Sequence, residues 1–272
     1  MSGDRPLTGW QKLRLTFTRR WRDTGFWYGL AITLLWPWAL FGTRVGWRGA
    51  EHLPRTGGAL LAANHVSFAD PIYDVAFTVS HGRVPRFLAK SELWSVPLVR
   101  SVLGGGGHIP VYRQSARAGD AYREAIAAVN RGEIVVFYPE STYTEDPAGW
   151  PMKGKNGIAR IALVTGAPVI PLANWGTQQL IPPGTGLVRL LPRKRISVVA
   201  GPPVDLSRWV GGPRTRSALD GATAAIMADI TALVAEVRGE TPPAVPFDPD
   251  AARAVPGPVG RPVAVEPERP TG

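Results

Sequence analysis

The chain has 272 residues, no cysteine, four histidines and a formal net charge of +10. That length holds one substantial core beside appendages rather than two cores, and the missing cysteines exclude disulfides, thiolate metal sites and a cysteine nucleophile. The cationic excess implies a surface that attracts phosphates, anionic lipid head groups or acidic proteins, whereas no zinc-finger spacing or aromatic RNP-type stretch points to nucleic acid, and His52, His65, His81 and His108 do not fall at metal-ligand spacing.

At the N-terminus Trp10, Leu13, Phe17 and Trp21 recur at three- and four-residue steps, with Lys12, Arg14, Arg19, Arg20 and Arg22 between them. This predicts a basic amphipathic helix, suited to an anionic membrane surface or to docking on the core with its basic face in water. Gly25 to Gly42 follows without a charged side chain. It lies at the lower edge of spanning length, Pro37 would kink it, and its tryptophans and tyrosine suit the head-group level, so a segment embedded in one leaflet is expected. Thr43 to Trp47 offers no small-x-small cleavage site, which disfavours a signal peptide. With the basic arm inside, the rest of the protein is expected at the cytoplasmic face of the cell membrane.

From Val45 onward short apolar runs alternate with helical stretches, the pattern of an α/β domain. Strands are predicted at 59–63, 86–89, 108–111, 134–138, 169–172 and 196–200, and helices at 71–80, 116–131, 157–165 and 217–238. Past Arg238 the composition turns proline-rich and loses apolar periodicity. The organisation expected is therefore a membrane-associated segment over 1–44, a catalytic-sized domain over 45–240 and a disordered tail over 241–272.

Three stretches carry candidate chemistry. Asn64-His65-Val66-Ser67-Phe68-Ala69-Asp70 follows an apolar run and puts an imidazole five positions from a carboxylate. On a regular helix the two side chains would point roughly 140° apart, so they meet only if a turn intervenes. Asp70-Pro71 also reads as an N-cap with proline at the first helical position, and the two roles are compatible. Gly104 to Gly107 reads as a flexible turn into a short strand ending at Arg113, a planar, permanently charged fork for a phosphate or simply a surface arginine. Val135 to Phe137 runs into Tyr138-Pro139-Glu140-Ser141-Thr142, a strand end that exposes a carboxylate beside two hydroxyls, where α/β sheets gather ligands. Gly149 to Asn156 nearly spells a P-loop, but Asn156 replaces the magnesium-binding hydroxyl and Trp150-Pro151 fits a phosphate cradle poorly. No G-x-S-x-G occurs, which excludes a nucleophile elbow.

Taken in order, Asn64-His65 with Asp70, Gly107-x-Ile109-x-Val111-x-Arg113, Tyr138-Pro139-Glu140-Ser141-Thr142 and Ala167-Pro168-Val169-Ile170-Pro171 resemble the four blocks of the glycerolipid acyltransferases related to bacterial 1-acyl-sn-glycerol-3-phosphate acyltransferase. Ala89-Lys90-Ser91-Glu92-Leu93 is similar to the link between the first two blocks. The resemblance implies a mixed central sheet flanked by helices and preceded by membrane-associated helices. It implies acyl transfer from acyl-CoA or acyl carrier protein to the sn-2 hydroxyl of lysophosphatidic acid in the bilayer, without a metal or redox cofactor. His65 is then the general base and Asp70 its orienting partner. Asn64 helps place the loop, Arg113 takes the acceptor phosphate, and Glu140, Ser141 and Thr142 take the glycerol region. The third block of the family usually reads Phe-Pro-Glu-Gly-Thr, often followed by arginine; here Tyr138, Ser141 and Tyr143 depart from it. Lys153 or Lys155 is expected to supply the missing positive charge. The departure also admits another lysolipid or a glycolipid hydroxyl as acceptor, and, from a different class, a non-catalytic membrane-bound scaffold.

Overall fold

The structure, a computed structural model, describes residues 8–11, 25–112 and 118–254. Its strands are β1 (Arg44–Arg48), β2 (Ala59–Ala63), β3 (Pro85–Lys90), β4 (Ile109–Val111), β5 (Ile134–Phe137), β6 (Val169–Trp175) and β7 (Arg195–Ala200). They form one sheet in the order β1-β7-β6-β2-β5-β3-β4, parallel at every pairing except β6 with β7. The expected mixed sheet is therefore present. β2 and β5 sit inside it and are buried along their whole length, as their unbroken apolar runs require when both faces are covered.

The helices are α1 (Phe26–Phe41), α2 (Asp70–Ser80), α3 (Pro97–Gly105), α4 (Ala118–Asn130), α5 (Gly157–Thr165), α6 (Thr177–Leu180), α7 (Arg216–Arg238) and α8 (Pro249–Ala254). One apolar cluster joins one side of the sheet to α4, α5 and α7 through Leu60, Val135, Ile158, Ile161, Ile226 and Ile230. A second joins the other side to α2 through Leu61, Val136, Ile170, Tyr73 and Phe77. By length and composition α7 could cross a bilayer. Its apolar side chains Leu219, Ile226, Ile230 and Val234 are buried in the first cluster instead, which makes it a core helix.

The charge-free stretch after Gly25 forms α1, with Pro37 inside it. At about 1.5 Å per residue its 16 residues reach about 24 Å, short of the roughly 30 Å of a hydrocarbon core. Tyr28, Ile32 and Leu40 pack with Ala76 and Val79, while Phe26, Trp27, Leu34 and Phe41 stay exposed. Of the expected basic helix, residues 12–24 lie outside the described residues.

Three features differ from the sequence reading. Gly104 and Gly105 are not a turn but the end of α3. The reason is packing: the Gly25 N–H bonds the Gly105 carbonyl at 2.8 Å, and a Cβ on Gly25 would come within 2.8 Å of the Gly105 Cα, so the glycines let α1 touch α3 backbone to backbone. Second, Arg44 to Arg48 pairs with β7 as an edge strand, which its lack of alternation hid. Third, the ordered chain continues into the proline-rich segment. The Phe247 carbonyl accepts the Lys153 N–H at 2.9 Å, Lys153 Nζ bonds Asp248 at 2.8 Å, and α8 follows. Main-chain and ionic contacts hold this part, and apolar periodicity does not register them. Residues 255–272 lie outside the described residues.

Candidate active site

Because β2, β5 and β6 are mutually parallel through β2, the loops after Ala63, Phe137 and Trp175 leave the sheet at one end. That end is where an open α/β sheet presents ligands. His65, Glu140 and Thr177 come from these three loops.

Asn64 to Ala69 is the loop required for His65 to meet Asp70. His65 Nδ1 lies 2.8 Å from Asp70 Oδ2. The same oxygen accepts the N–H of Val66 at 2.7 Å and of Ser67 at 2.8 Å, and Oδ1 accepts the Thr177 hydroxyl. Asp70 therefore does not act as the side-chain N-cap of α2; it is the first residue of that helix, and its carboxylate ties down the loop before it. With its Nδ1–H donated to a fully buried carboxylate, the neutral imidazole has its one basic lone pair on Nε2.

Asn64 is wholly buried and clamps β2 to β6. Its Nδ2 donates to the Asn174 carbonyl at 3.0 Å, and its Oδ1 accepts the Asn174 N–H at 2.7 Å. The expected placing role has this geometric content.

Glu140 is also buried, and it does not line the cavity described below. One oxygen accepts the His65 N–H and the other the Met152 N–H, both at 3.0 Å. It fastens the His65 loop to the segment after the third block. Burial pushes its carboxyl up to about 8, opposed by the two N–H donors.

Tyr138 lies flat against the His65 ring, with centroids 4.1 Å apart and planes 18° from parallel. Its hydroxyl donates to Asp74 Oδ2 at 2.6 Å, and Asn174 Nδ2 donates to Asp74 Oδ1 at 2.8 Å. Burial raises the Asp74 carboxyl to about 8, aided by the neighbouring charge of Asp70. Tyr143 approaches His65 edge-on at 5.9 Å and Phe68 at 5.0 Å.

The His65 ring forms part of the wall of a cavity of about 1060 Å³. Ser141, Thr142, Tyr143, Lys155 and Tyr112 also line it. Elsewhere the wall is apolar and runs under α1 and α3, with Ile32, Leu35, Val75, Phe87, Val102 and Leu103. Lys155 thus reaches the site, whereas the Lys153 ammonium pairs with Asp248 at the surface. Arg113 lies outside the described residues. No group of acidic and histidine side chains among the described residues could hold a metal ion.

Sequence reasoning did not single out Asp74, Tyr138 as a stacking partner, or Thr177. Tyr138 was visible as a departure from the third block. Asp74 and Thr177 carry no local signal, because their partners lie 64 and 107 residues away.

Two predictions arise here. Ser141 has φ 66°, the left-handed region, at the position where the resembled block has glycine. An L residue there costs about 1–2 kcal/mol in backbone strain, partly offset by its lower unfolded-state entropy. Ser141→Gly is therefore expected to raise stability by about 0.5–1 kcal/mol in urea unfolding, and an unchanged or lower midpoint would mean that the serine side chain repays the strain. His108 supplies the second. Its Nδ1 accepts the Phe87 N–H at 3.0 Å, and burial, with Arg86 nearby, lowers its pKa from 6.5 to about 4. Between those values the unfolded chain binds the extra proton, so stability is lost as pH falls from about 6.5 through about 4, by roughly 3 kcal/mol in full. The raised carboxyls of Asp74 and Glu140 act oppositely, losing stability as pH rises toward about 8. The readout is therefore the difference between wild type and His108→Gln, whose urea midpoint should fall less steeply on acidification; parallel profiles would remove the assignment.

Residues 44–175 match the family model described as Acyltransferase. The chain is 31% identical over 157 residues to a chloroplastic 1-acyl-sn-glycerol-3-phosphate acyltransferase of Brassica napus, covering 55% of this chain and 44% of that protein. It is 30% identical over 139 residues to the 1-acyl-sn-glycerol-3-phosphate acyltransferase of Borreliella burgdorferi, covering 51% of this chain and 54% of that one. The chain spans about half the length of these curated relatives. Among solved structures, the 1-acyl-sn-glycerophosphate acyltransferase PlsC of Thermotoga maritima superposes with a TM-score of 0.61 at 24% identity, over 86% of this chain and 90% of that one. This likeness shows a shared fold.

Proposed function

We propose, from the premise that residues 44–175 form an acyltransferase-family domain, that the protein transfers a fatty acyl group from a thioester donor to the sn-2 hydroxyl of lysophosphatidic acid. The observation that carries this reading is the His65–Asp70 pair, with the His65 ring on the wall of a largely apolar cavity of about 1060 Å³. An alcohol is a weak nucleophile at neutral pH, so attack on a thioester needs a base at the oxygen. His65 Nε2 takes the hydroxyl proton as the oxygen bonds to the carbonyl carbon. Asp70 holds the ring and balances the imidazolium that forms. The carbon–sulfur bond then breaks, and the proton passes to the departing thiolate. The donor is acyl-CoA or acyl carrier protein, whose negative charge suits a chain of net charge +10. No metal or redox cofactor enters this chemistry.

The volume of about 1060 Å³ and the apolar lining of the cavity suit an acyl chain. Lys155, with Ser141 and Thr142, stands where the acceptor head group would lie, and Arg113 is assigned to its phosphate. Lys153 is spoken for by Asp248 and Glu140 by two main-chain N–H groups, so both support the site rather than touch substrate. The exposed apolar side chains of α1 suit attachment at a leaflet surface, on the cytoplasmic side, where both lipid substrates reside.

A second acceptor is favoured by one observation. Tyr143 packs edge-on to His65 where the resembled family often has arginine, replacing a charge with an aromatic surface such as a sugar ring or a larger lysolipid head would use. The test is acyl transfer from labelled oleoyl-CoA to lysophosphatidic acid in vesicles, with other lysolipids and a glycolipid in parallel. Labelled phosphatidic acid supports the first reading, a labelled glycolipid or other lysolipid product the second, and no product from any acceptor overturns both.

A further inference from the structure

Between α6 and β7 the chain runs Leu187-Val188-Arg189-Leu190-Leu191-Pro192-Arg193-Lys194-Arg195. Four large apolar side chains of this loop face water: Leu187 is 60% exposed, Val188 53%, Leu190 43% and Leu191 82%. A run of this kind with no protein neighbour marks an interaction site. Arg189, Arg193 and Arg195 are exposed among them and Lys194 is half-buried, and no carboxylate among the described residues pairs with any of these four cations.

The loop is fixed in place at both ends. The Arg189 N–H bonds the Leu180 carbonyl at 2.8 Å, and the Ile181 carbonyl accepts the Ser67 hydroxyl at 2.7 Å, next to the Asp70 carboxylate. The Arg193 guanidinium donates to the carbonyls of Phe41 and Thr43 at the end of α1. These bonds tie the segment to the C-terminal end of α1 on one side and, through Ile181, to the His65 loop on the other.

We infer that residues 187–195 are a second membrane contact, in which the leucines enter the interface of an anionic bilayer and the cations take its head groups. Charge complementarity selects this occupant. The chain's own remaining segments complement it poorly: 12–24 carries Lys12, Arg14, Arg19, Arg20 and Arg22 against Asp23, and 255–272 carries two arginines against two glutamates. Exposed apolar side chains at 187–191 beside the cations at 189 and 193–195 match the depth profile of a leaflet, apolar within and anionic at its surface. The contact rests on the reading of an enzyme that works at a bilayer. It orients the cavity toward the leaflet, so that a lipid acceptor reaches His65 without leaving the membrane.

The chain has no cysteine, so Leu191→Cys in the full-length protein can carry one environment-sensitive dye. Mixed with vesicles of phosphatidylcholine and phosphatidylglycerol, the dye should shift to the blue and become shielded from an aqueous quencher, and the effect should weaken with salt and with phosphatidylcholine alone. In unlabelled protein, Arg189→Glu and the pair Leu187→Ser with Leu191→Ser should each lower vesicle partition about tenfold or more, with thermal midpoints near wild type. A dye that stays in water on anionic vesicles, or variants that fold and partition as wild type does, overturns the contact. Insertion of the dye by a protein that acylates no acceptor upholds the contact and overturns only the activity.

Discussion

His65→Ala is expected to lower acyl transfer by at least about 10²–10⁴-fold, the range in which a positioned general base contributes. The fold should survive. After the imidazole is removed, Asp70 keeps the N–H groups of Val66 and Ser67 and the Thr177 hydroxyl, so its buried carboxylate is still met by three donors. The lost stacking on Tyr138 is an aromatic contact of about 0.5–1.5 kcal/mol. Turnover with saturating donor, measured beside the thermal midpoint, reads both quantities. Activity within about tenfold of wild type from a folded variant would exclude His65 as the base.

Asp70→Asn is expected to lower turnover by about 10³–10⁴-fold, because the amide no longer balances the charge that forms on the imidazole and can present a donor where the ring needs an acceptor. Unlike the histidine change, it should also cost stability. Three donors converge on Oδ2 and a fourth on Oδ1, in a position with no exposure to water. An amide offers one acceptor oxygen in place of two, and a loss of about 2–4 kcal/mol follows for a buried charged network. Kinetics and urea unfolding of the same preparation separate the two effects. A variant with full stability and reduced turnover would show that the loop holds without the carboxylate, and full turnover would remove the orienting role.

The contrast between these residues reflects how the site is built. His65 is held by the loop, whereas Asp70 holds it, and Glu140 does the same from the other side through the His65 N–H. Asp70, expected to orient His65, and Glu140, expected at the acceptor, thus both fasten main chain. Only distances could separate these roles, since a carboxylate in a motif looks the same whether it faces a ligand or a buried amide.

Much of the frame is legible locally. Unbroken apolar runs predict strands at 59–63 and 134–138, which appear at 59–63 and 134–137 buried along their length, and the predicted helix at 157–165 appears with those bounds. In each case neighbours in sequence are also neighbours in the element, so periodicity records the burial. The His65–Asp70 contact was legible for a similar reason: five residues with a turn between them are close enough for a local argument.

What the sequence by itself determined is the α/β alternation, the charge-free segment after Gly25, and the ordered motif blocks, the first and third of which follow β2 and β5 at one end of the sheet. Only the tertiary structure decided that Gly104 and Gly105 close a helix against α1, that Phe247 and Asp248 dock on Lys153, that Thr177 and Asp74 complete the network around His65, and that the leucines of 187–191 remain in water. The physical reason is range. Strand and helix patterns arise from contacts a few residues apart, whereas these features join groups whose separation in the chain leaves no periodic trace, and only folding brings them within a hydrogen bond.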